Sequence, residues 1–138
     1  MIRGPQSLEP ITTIDMTSMP DAALTLIAMA PLMPGDTTIT GLSTLHHKEC
    51  DRLVCSAQEL MELGVDVVFD EDSITIPWAE PEQLKAHTLS TYHDHRMAMA
   101  FSLIGSLTGT LSVDDERVVD KTYPTYWQDY ALALDPVA

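Results

Sequence analysis

The chain has 138 residues, a net charge of −14 and only seven Lys plus Arg. That length suffices for one domain or for two small repeated units with a shared core. The acidic field argues against nucleic acid and anionic membrane as partners, and no stretch is long and apolar enough to cross a bilayer. The opening MIRGPQSLEP has no apolar signal core, so a cytoplasmic location is expected.

In chain order, ITTIDM (11–16) reads as a strand, rich in Thr and Ile. PDAALTLIAMAPLM (20–33) reads as a helix that begins with Pro20, stops near Pro34-Gly35, and is apolar nearly all round. TTITGL (37–42) is a second strand. ECDRLVCSAQELMELG (49–64) predicts an amphipathic helix with Leu53, Ala57, Leu60 and Met61 on one face and Gly64 at its end. Cys50 and Cys55 lie in this stretch, on different sides of such a helix, which predicts free thiols. VDVVF (65–69) and SITIPW (73–78) are strands, as is HTLSTY (87–92). HRMAMAFSLIGSLTG (95–109) predicts a second all-round apolar helix, capped by Asp94. TLSVDD (110–115) is the last strand, and YPTYWQDYALAL (123–134) a helix that lines up Tyr123, Trp127, Tyr130 and Leu134.

The order strand, apolar helix, strand, amphipathic helix thus occurs twice, with negligible identity between the halves. It predicts an α/β (α+β) class in which two helices are buried and the strands lie outside. The repeat-like units run over about 11–80 and 84–134.

Charge is concentrated at the helix entrances: Asp21, then Lys48-Glu49-Arg52, then Asp94-His95-Arg96, then Lys121. Helix N-termini favour anions and disfavour cations by roughly 0.3–1 kcal/mol at exposed sites. Four of the seven cations placed there ask for an anionic ligand. Plainer readings exist: Arg96 paired with Asp94, Lys121 an ordinary surface lysine, Asp21 and Glu49 complementing the dipole. The histidines and cysteines in HHKEC and HDH lack the spacing of a zinc ribbon or finger, so no metal is expected. No glycine-rich phosphate loop occurs.

MPDAALT (19–25), HKECDRL (47–53), YHDHRMAMAFSL (92–103) and DKTYPTYW (120–127) together resemble the C-terminal part of the EPSP synthase family, the 3-phosphoshikimate 1-carboxyvinyltransferases. The likeness runs from about Gly4-Pro5 to the end. It implies that residues 1–138 are a partial C-terminal domain, about two of the six βαβαββ units of the enolpyruvyl transferase fold. The family moves the enolpyruvyl group of phosphoenolpyruvate to the 5-hydroxyl of shikimate 3-phosphate, without cofactor, and glyphosate occupies its phosphoenolpyruvate site. By resemblance, Asp21 orients and deprotonates the hydroxyl and Lys48 holds the shikimate phosphate. Glu49 is the acid/base near the methylene, Arg52 and Arg96 grip phosphoenolpyruvate beside His95, and Lys121 is a cation and proton donor.

Two positions depart from the family pattern: His46 stands where an arginine is common, and Thr44 where an asparagine often helps hold shikimate phosphate. The resemblance further implies a missing N-terminal domain, so the isolated chain is expected to be inactive, and self-association over newly exposed apolar surface is expected. A related family, the UDP-N-acetylglucosamine enolpyruvyl transferases, needs a nucleophilic cysteine that neither Cys50 nor Cys55 supplies. The rival of another class is a non-catalytic anion-binding or assembly module with the same fold.

Overall fold

The computed structural model describes residues 9–109 and 111–134. Arg3, the start of the family likeness at Gly4-Pro5, and Thr110 at the head of the last predicted strand lie outside these residues. The first half runs β1 (Thr13–Asp15), α1 (Pro20–Met29), β2 (Thr37–Thr40), α2 (Arg52–Glu62), β3 (Val68–Phe69) and β4 (Ser73–Ile76). The second runs β5 (His87–Leu89), α3 (His95–Thr108), β6 (Leu111–Val113) and α4 (Tyr126–Leu134).

β1 and β2 are parallel, with Ile14 opposite Ile39, and β4 adds to β2 antiparallel, with Ile74 opposite Ile39. β3 closes a four-stranded sheet of order β1-β2-β4-β3. Its pleat sends Ile39, Ile74 and Ile76 into the core at 0% exposure, while the hydroxyls of Thr38 and Thr75 meet at 2.9 Å on the other face. β5 and β6 form a second, parallel pair, with Leu89 opposite Val113. α1 packs against α3 and α2 in the middle, burying Ala23, Leu24, Ile27 and Ala28 against a core that includes Met97, Ala100, Phe101 and Ile104. Each large apolar side chain so buried contributes roughly 1.5–3 kcal/mol. The mixed class, with apolar helices inside and sheets outside, is therefore as the sequence implies.

Local chemistry moves several boundaries. Pro31 has no N–H to continue the α1 ladder, so the chain tightens into a 3-10 turn over Ala30–Leu32. α2 starts at Arg52 rather than 49, because Asp51 caps it by accepting from the Val54 N–H at 3.1 Å. Cys50 consequently lies outside the helix, and both thiols are free. The buried stripe of α2 carries Leu53, Ser56, Ala57, Glu59 and Leu60. Met61, expected on that face, falls off its edge and is 44% exposed. A 3-10 helix over Glu116–Lys121, capped by Asp115, precedes α4 and was not foreseen. α4 begins only at Tyr126 and buries none of its residues. It is moored to α3 by polar tips: Tyr126 Oη lies 2.6 Å from Ser102 Oγ, and the Tyr130 hydroxyl donates to the Ser102 carbonyl at 2.7 Å.

Gly41, just past the end of β2, packs against the turn that launches α1. Its φ is +76°, and a Cβ there would lie 2.5 Å from the Thr17 backbone nitrogen and against the Thr17 hydroxyl. Neither strain nor clash can be relieved by a rotamer change. Gly41→Ala is expected to cost about 2 kcal/mol or more, read as a lowered urea midpoint at unchanged m-value; an unaltered midpoint would show that the β2–α1 approach is not so tight.

Candidate anion site at the helix entrances

The entrances of α1, α2 and α3 converge, and the residue joining them is Arg52, the first residue of α2. Its side chain is only 2% exposed. Nε donates to Asp94 Oδ2 at 2.7 Å and Nη2 to Asp94 Oδ1 at 3.2 Å, a two-pronged grip on the N-cap of α3. Nη2 also reaches Glu49 Oε2 at 2.8 Å, and Nη1 reaches Asp21 Oδ1, in the first turn of α1, at 3.1 Å. Four donations leave little of a five-donor guanidinium for anything else.

Around this hub stand the other expected residues. Lys48 Nζ is 3.1 Å from Asp21 Oδ1, Arg96 Nη2 is 4.0 Å from Asp21 Oδ2, and Lys121 Nζ is 3.3 Å from Glu49 Oε1. Seven groups named from sequence, Asp21, Lys48, Glu49, Arg52, His95, Arg96 and Lys121, therefore occupy one locus. His95 is buried; its Nδ1 lies 3.9 Å from Asp94 Oδ1 and finds no hydrogen-bond partner among the described residues. A cleft of about 200 Å³ opens beside them, lined by Asp21, Leu24, Arg96, Met99, Ala100 and Tyr126 among others.

The carboxylates are held ionised. Lys48's hydrogen bond holds Asp21 below the usual range. Glu49 is lowered first by its own backbone N–H and then, against desolvation, by Lys121 and Arg52. For Asp94, burial pushes the pKa up most strongly, but Arg52 and the Arg96 N–H together outweigh it. Burial likewise works against Arg52, and the three carboxylates more than offset it. Burial pushes the Cys50 thiol well up, so it is no nucleophile.

Two expectations about the cations need correction. Lys48 and Glu49 precede α2, and Lys121 ends the 3-10 helix rather than opening α4. At a C-terminal end a cation is favoured, so only Arg52 and Arg96 occupy dipole-opposed positions. Nor is Arg96 paired with Asp94 through its side chain: its backbone N–H donates to Asp94 at 2.8 Å, and its guanidinium is 45% exposed. His46, the departure from the family arginine, is turned to the protein: Nδ1 meets Asp51 Oδ2 at 2.8 Å and Nε2 the Glu71 carbonyl at 2.9 Å. The Asp51 contact first, then the carbonyl, raises its pKa.

Two positioning groups were missed. The sequence offers Asp94 as a cap or a partner of Arg96, whereas it is the fully buried partner of Arg52. Glu59, 3% exposed, accepts from the Tyr92 hydroxyl at 2.7 Å and the Ser90 N–H at 3.3 Å, and meets His87 Nε2 at 2.6 Å. It thereby holds the segment in which Tyr92 and His93 adopt left-handed φ of 54° and 57°, just before Asp94. Glu59 lies off the Leu53, Ala57 and Leu60 face read from sequence, so no local signal marks it.

The helix entrances thus gather cations and ionised carboxylates beside a small cleft. The EPSP synthase (3-phosphoshikimate 1-carboxyvinyltransferase) family model matches residues 1–130, and the chain belongs to that family. It is 39% identical over 119 residues to the 3-phosphoshikimate 1-carboxyvinyltransferase of Methanosphaerula palustris, covering 86% of this chain and 27% of that relative. It is 40% identical over 114 residues to that of Photobacterium damsela subsp. piscicida, covering 83% and 26%. The EPSP synthase of Acinetobacter baumannii superposes with a TM-score of 0.68 at 28% identity, covering 78% of this chain and 25% of that one. The chain thus spans about a quarter of the length of the relatives it matches.

Removing Arg52 strands Asp94 in the core. Arg52→Met is expected to cost about 3–5 kcal/mol in urea unfolding, and adding Asp94→Leu to recover much of it; additive losses would mean the two do not act as a pair. The pH dependence has two opposite limbs. Asp21, Glu49 and Asp94 have lowered folded pKa values, so their contribution is full above the unfolded values of 3.8 and 4.5 and fades as pH falls through the folded ones. His46 has a raised value, so its contribution is full below 6.5 and fades as pH rises through the folded one. Thermal melts are expected to peak between these limits, with His46→Gln flattening only the alkaline limb; a flat acid limb would contradict ionised, paired carboxylates.

Proposed function

We propose that the chain carries the phosphoenolpyruvate side of an enolpyruvyl transferase site, which moves that group to the 5-hydroxyl of shikimate 3-phosphate and releases phosphate. One observation carries the reading: Lys48, Arg52, Arg96 and Lys121 meet Asp21 and Glu49 at one locus, beside a cleft that Asp21 and Arg96 line. Arg96, exposed and only loosely paired, is the fork best placed for an incoming carboxylate or phosphate. Arg52 has little donor capacity left, so its part is to hold Asp21 and Glu49 in place and to lend positive charge to the ligand. Lys48 takes the shikimate phosphate, and glyphosate competes at the phosphoenolpyruvate locus.

The chemistry needs two proton movements. The hydroxyl oxygen bonds to C2 of the enol phosphate while its proton passes to a base, and C3 gains a proton to become a methyl group. The C2–O bond to phosphate then breaks as C3 gives a proton back. Asp21, held ionised beside Lys48, is suited to the first base role. Glu49 and Lys121, 3.3 Å apart, form a pair that can hand a proton to C3 and recover it. No cofactor is needed for either step. The remaining three quarters of the relatives' length supplies the other face of the site, so the chain by itself is inactive; cytoplasmic location accords with these small-metabolite substrates.

The test is phosphate release from phosphoenolpyruvate and shikimate 3-phosphate. The chain alone is expected to be silent, its complex with the N-terminal remainder of a relative active, and Arg96→Ala to lower that activity about 100-fold. Turnover by the chain alone, lost in Arg96→Ala, would overturn the incompleteness. A stable complex that binds phosphoenolpyruvate yet releases no phosphate would favour the non-catalytic module.

A further inference from the structure

Side chains tie residues 46–51 into a closed loop. Leu45, 0% exposed, anchors the 3-10 helix Ser43–His47 in the core. Asp51 caps α2 through Oδ1, which accepts the Val54 N–H at 3.1 Å. Its other oxygen meets His46 Nδ1 at 2.8 Å, so this contact ties off residues 47–50 at their base. His46 Nε2 meets the Glu71 carbonyl at 2.9 Å and fastens the same base to the β3–β4 turn. That turn also holds the start of the segment, where Asp72 accepts from the N–H groups of Gly41 and Ser43. The loop so closed carries Lys48, 3.1 Å from Asp21, and Glu49, 2.8 Å from Arg52 and 3.3 Å from Lys121.

The two contacts of His46 fix its charge. A carboxylate oxygen and a backbone carbonyl are both acceptors, with no hydrogen to offer. A neutral imidazole has one N–H, so its other nitrogen would set a lone pair against an acceptor at 2.8 or 2.9 Å. Only the imidazolium donates at both ends. The charged surroundings agree. Asp51 faces the ring from the head of α2 and Glu71 from the β3–β4 turn, while His47 lines the same groove and Lys48 is turned to Asp21.

We infer that His46, as an imidazolium, is a positioning residue for Lys48 and Glu49, and that the loop carrying them loosens when the ring loses a proton. One of the two contacts must then open, so residues 47–50 lose either the tie at their base or its fastening to the turn. The direction in pH follows. The Asp51 contact, then the Glu71 carbonyl, raises the pKa of His46 above its ordinary 6.5. The loop is therefore fully held below 6.5 and released as pH rises through the folded value. An arginine at this position would donate without titrating, so the histidine makes the fastening pH-dependent. The effect on ligand rests on the reading above, in which this locus receives phosphoenolpyruvate; the closing of the loop does not.

The test follows the imidazole nitrogens of His46 and the backbone amides of the loop by NMR in the whole chain, across the titration of the ring. Both ring nitrogens are expected to carry protons at about pH 6. The order parameters of Lys48 and Glu49 should fall from roughly 0.85 toward 0.6 with the same midpoint as the ring. His46→Arg should keep them high throughout and His46→Ala low throughout. Phosphoenolpyruvate should bind roughly 2–5-fold more weakly above the ring midpoint than below it, with no such step in His46→Arg, a comparison that cancels the ligand's own titration. A ring with a single proton at about pH 6, or loop order that ignores the ring's titration, would overturn the inference, and neither result needs a variant to fold. An affinity step that survives in His46→Arg would overturn it too. Loop order that tracks the ring while no form of the chain binds phosphoenolpyruvate would uphold the loop's closure and overturn the transferase reading instead.

Discussion

Everything near the cleft depends on a guanidinium sealed from solvent. Arg52 touches the first turn of α1 through Asp21, the run-in to its own helix through Glu49, and the cap of α3 through Asp94. An ion pair as buried as Arg52–Asp94 adds little net stability, because desolvation cancels most of its attraction. It does make every other arrangement of the three helices costly, since any shift would leave a charge alone in the core. Two aliphatic side chains of the same size would hold the helices together but would not set where Asp21 and Glu49 point.

The site inherits its geometry from that constraint. Glu59 fixes the approach to α3 from the α2 side and Asp51 fixes the start of α2, so both neighbours of the Arg52–Asp94 pair are clamped. Arg96, Lys48 and Lys121 are left on the wet side, where they pair with Asp21 and Glu49 at 3.1–4.0 Å. Those pairs are exposed and worth little. An anion can therefore exchange for them at small cost, whereas it cannot for the buried bonds.

Much of this was legible in the sequence. Six strands and four helices fell where β-branched alternation, apolar runs, Pro20 and the Asp94 cap put them, because those signals are local. The convergence of the seven residues was also legible, since the helix-entrance motifs keep all of them near one end of the fold. What was not legible depended on three dimensions. Asp51 caps α2 so that it begins at Arg52 rather than Glu49, which changes where Lys48 stands; a 3-10 helix intervenes before α4, which reverses the dipole argument for Lys121. Glu59 carries no sequence signal of burial and Asp94 reads as a cap or a partner of Arg96; only packing reveals both as buried partners. That Arg52 spends its donors on protein carboxylates could not be read from composition either.

In the reading proposed above, the cations and His95 form a preorganised receptor for a small anion. The most direct measurement is a titration of the chain with phosphoenolpyruvate at low salt, following imidazole and guanidinium nitrogens by NMR. Saturable shifts of His95 Nδ1 and of the Arg96 side chain, with the Arg52–Asp94 signals unmoved, are the predicted result. Shifts confined to exposed His47 or His93, or none at millimolar ligand, would contradict it.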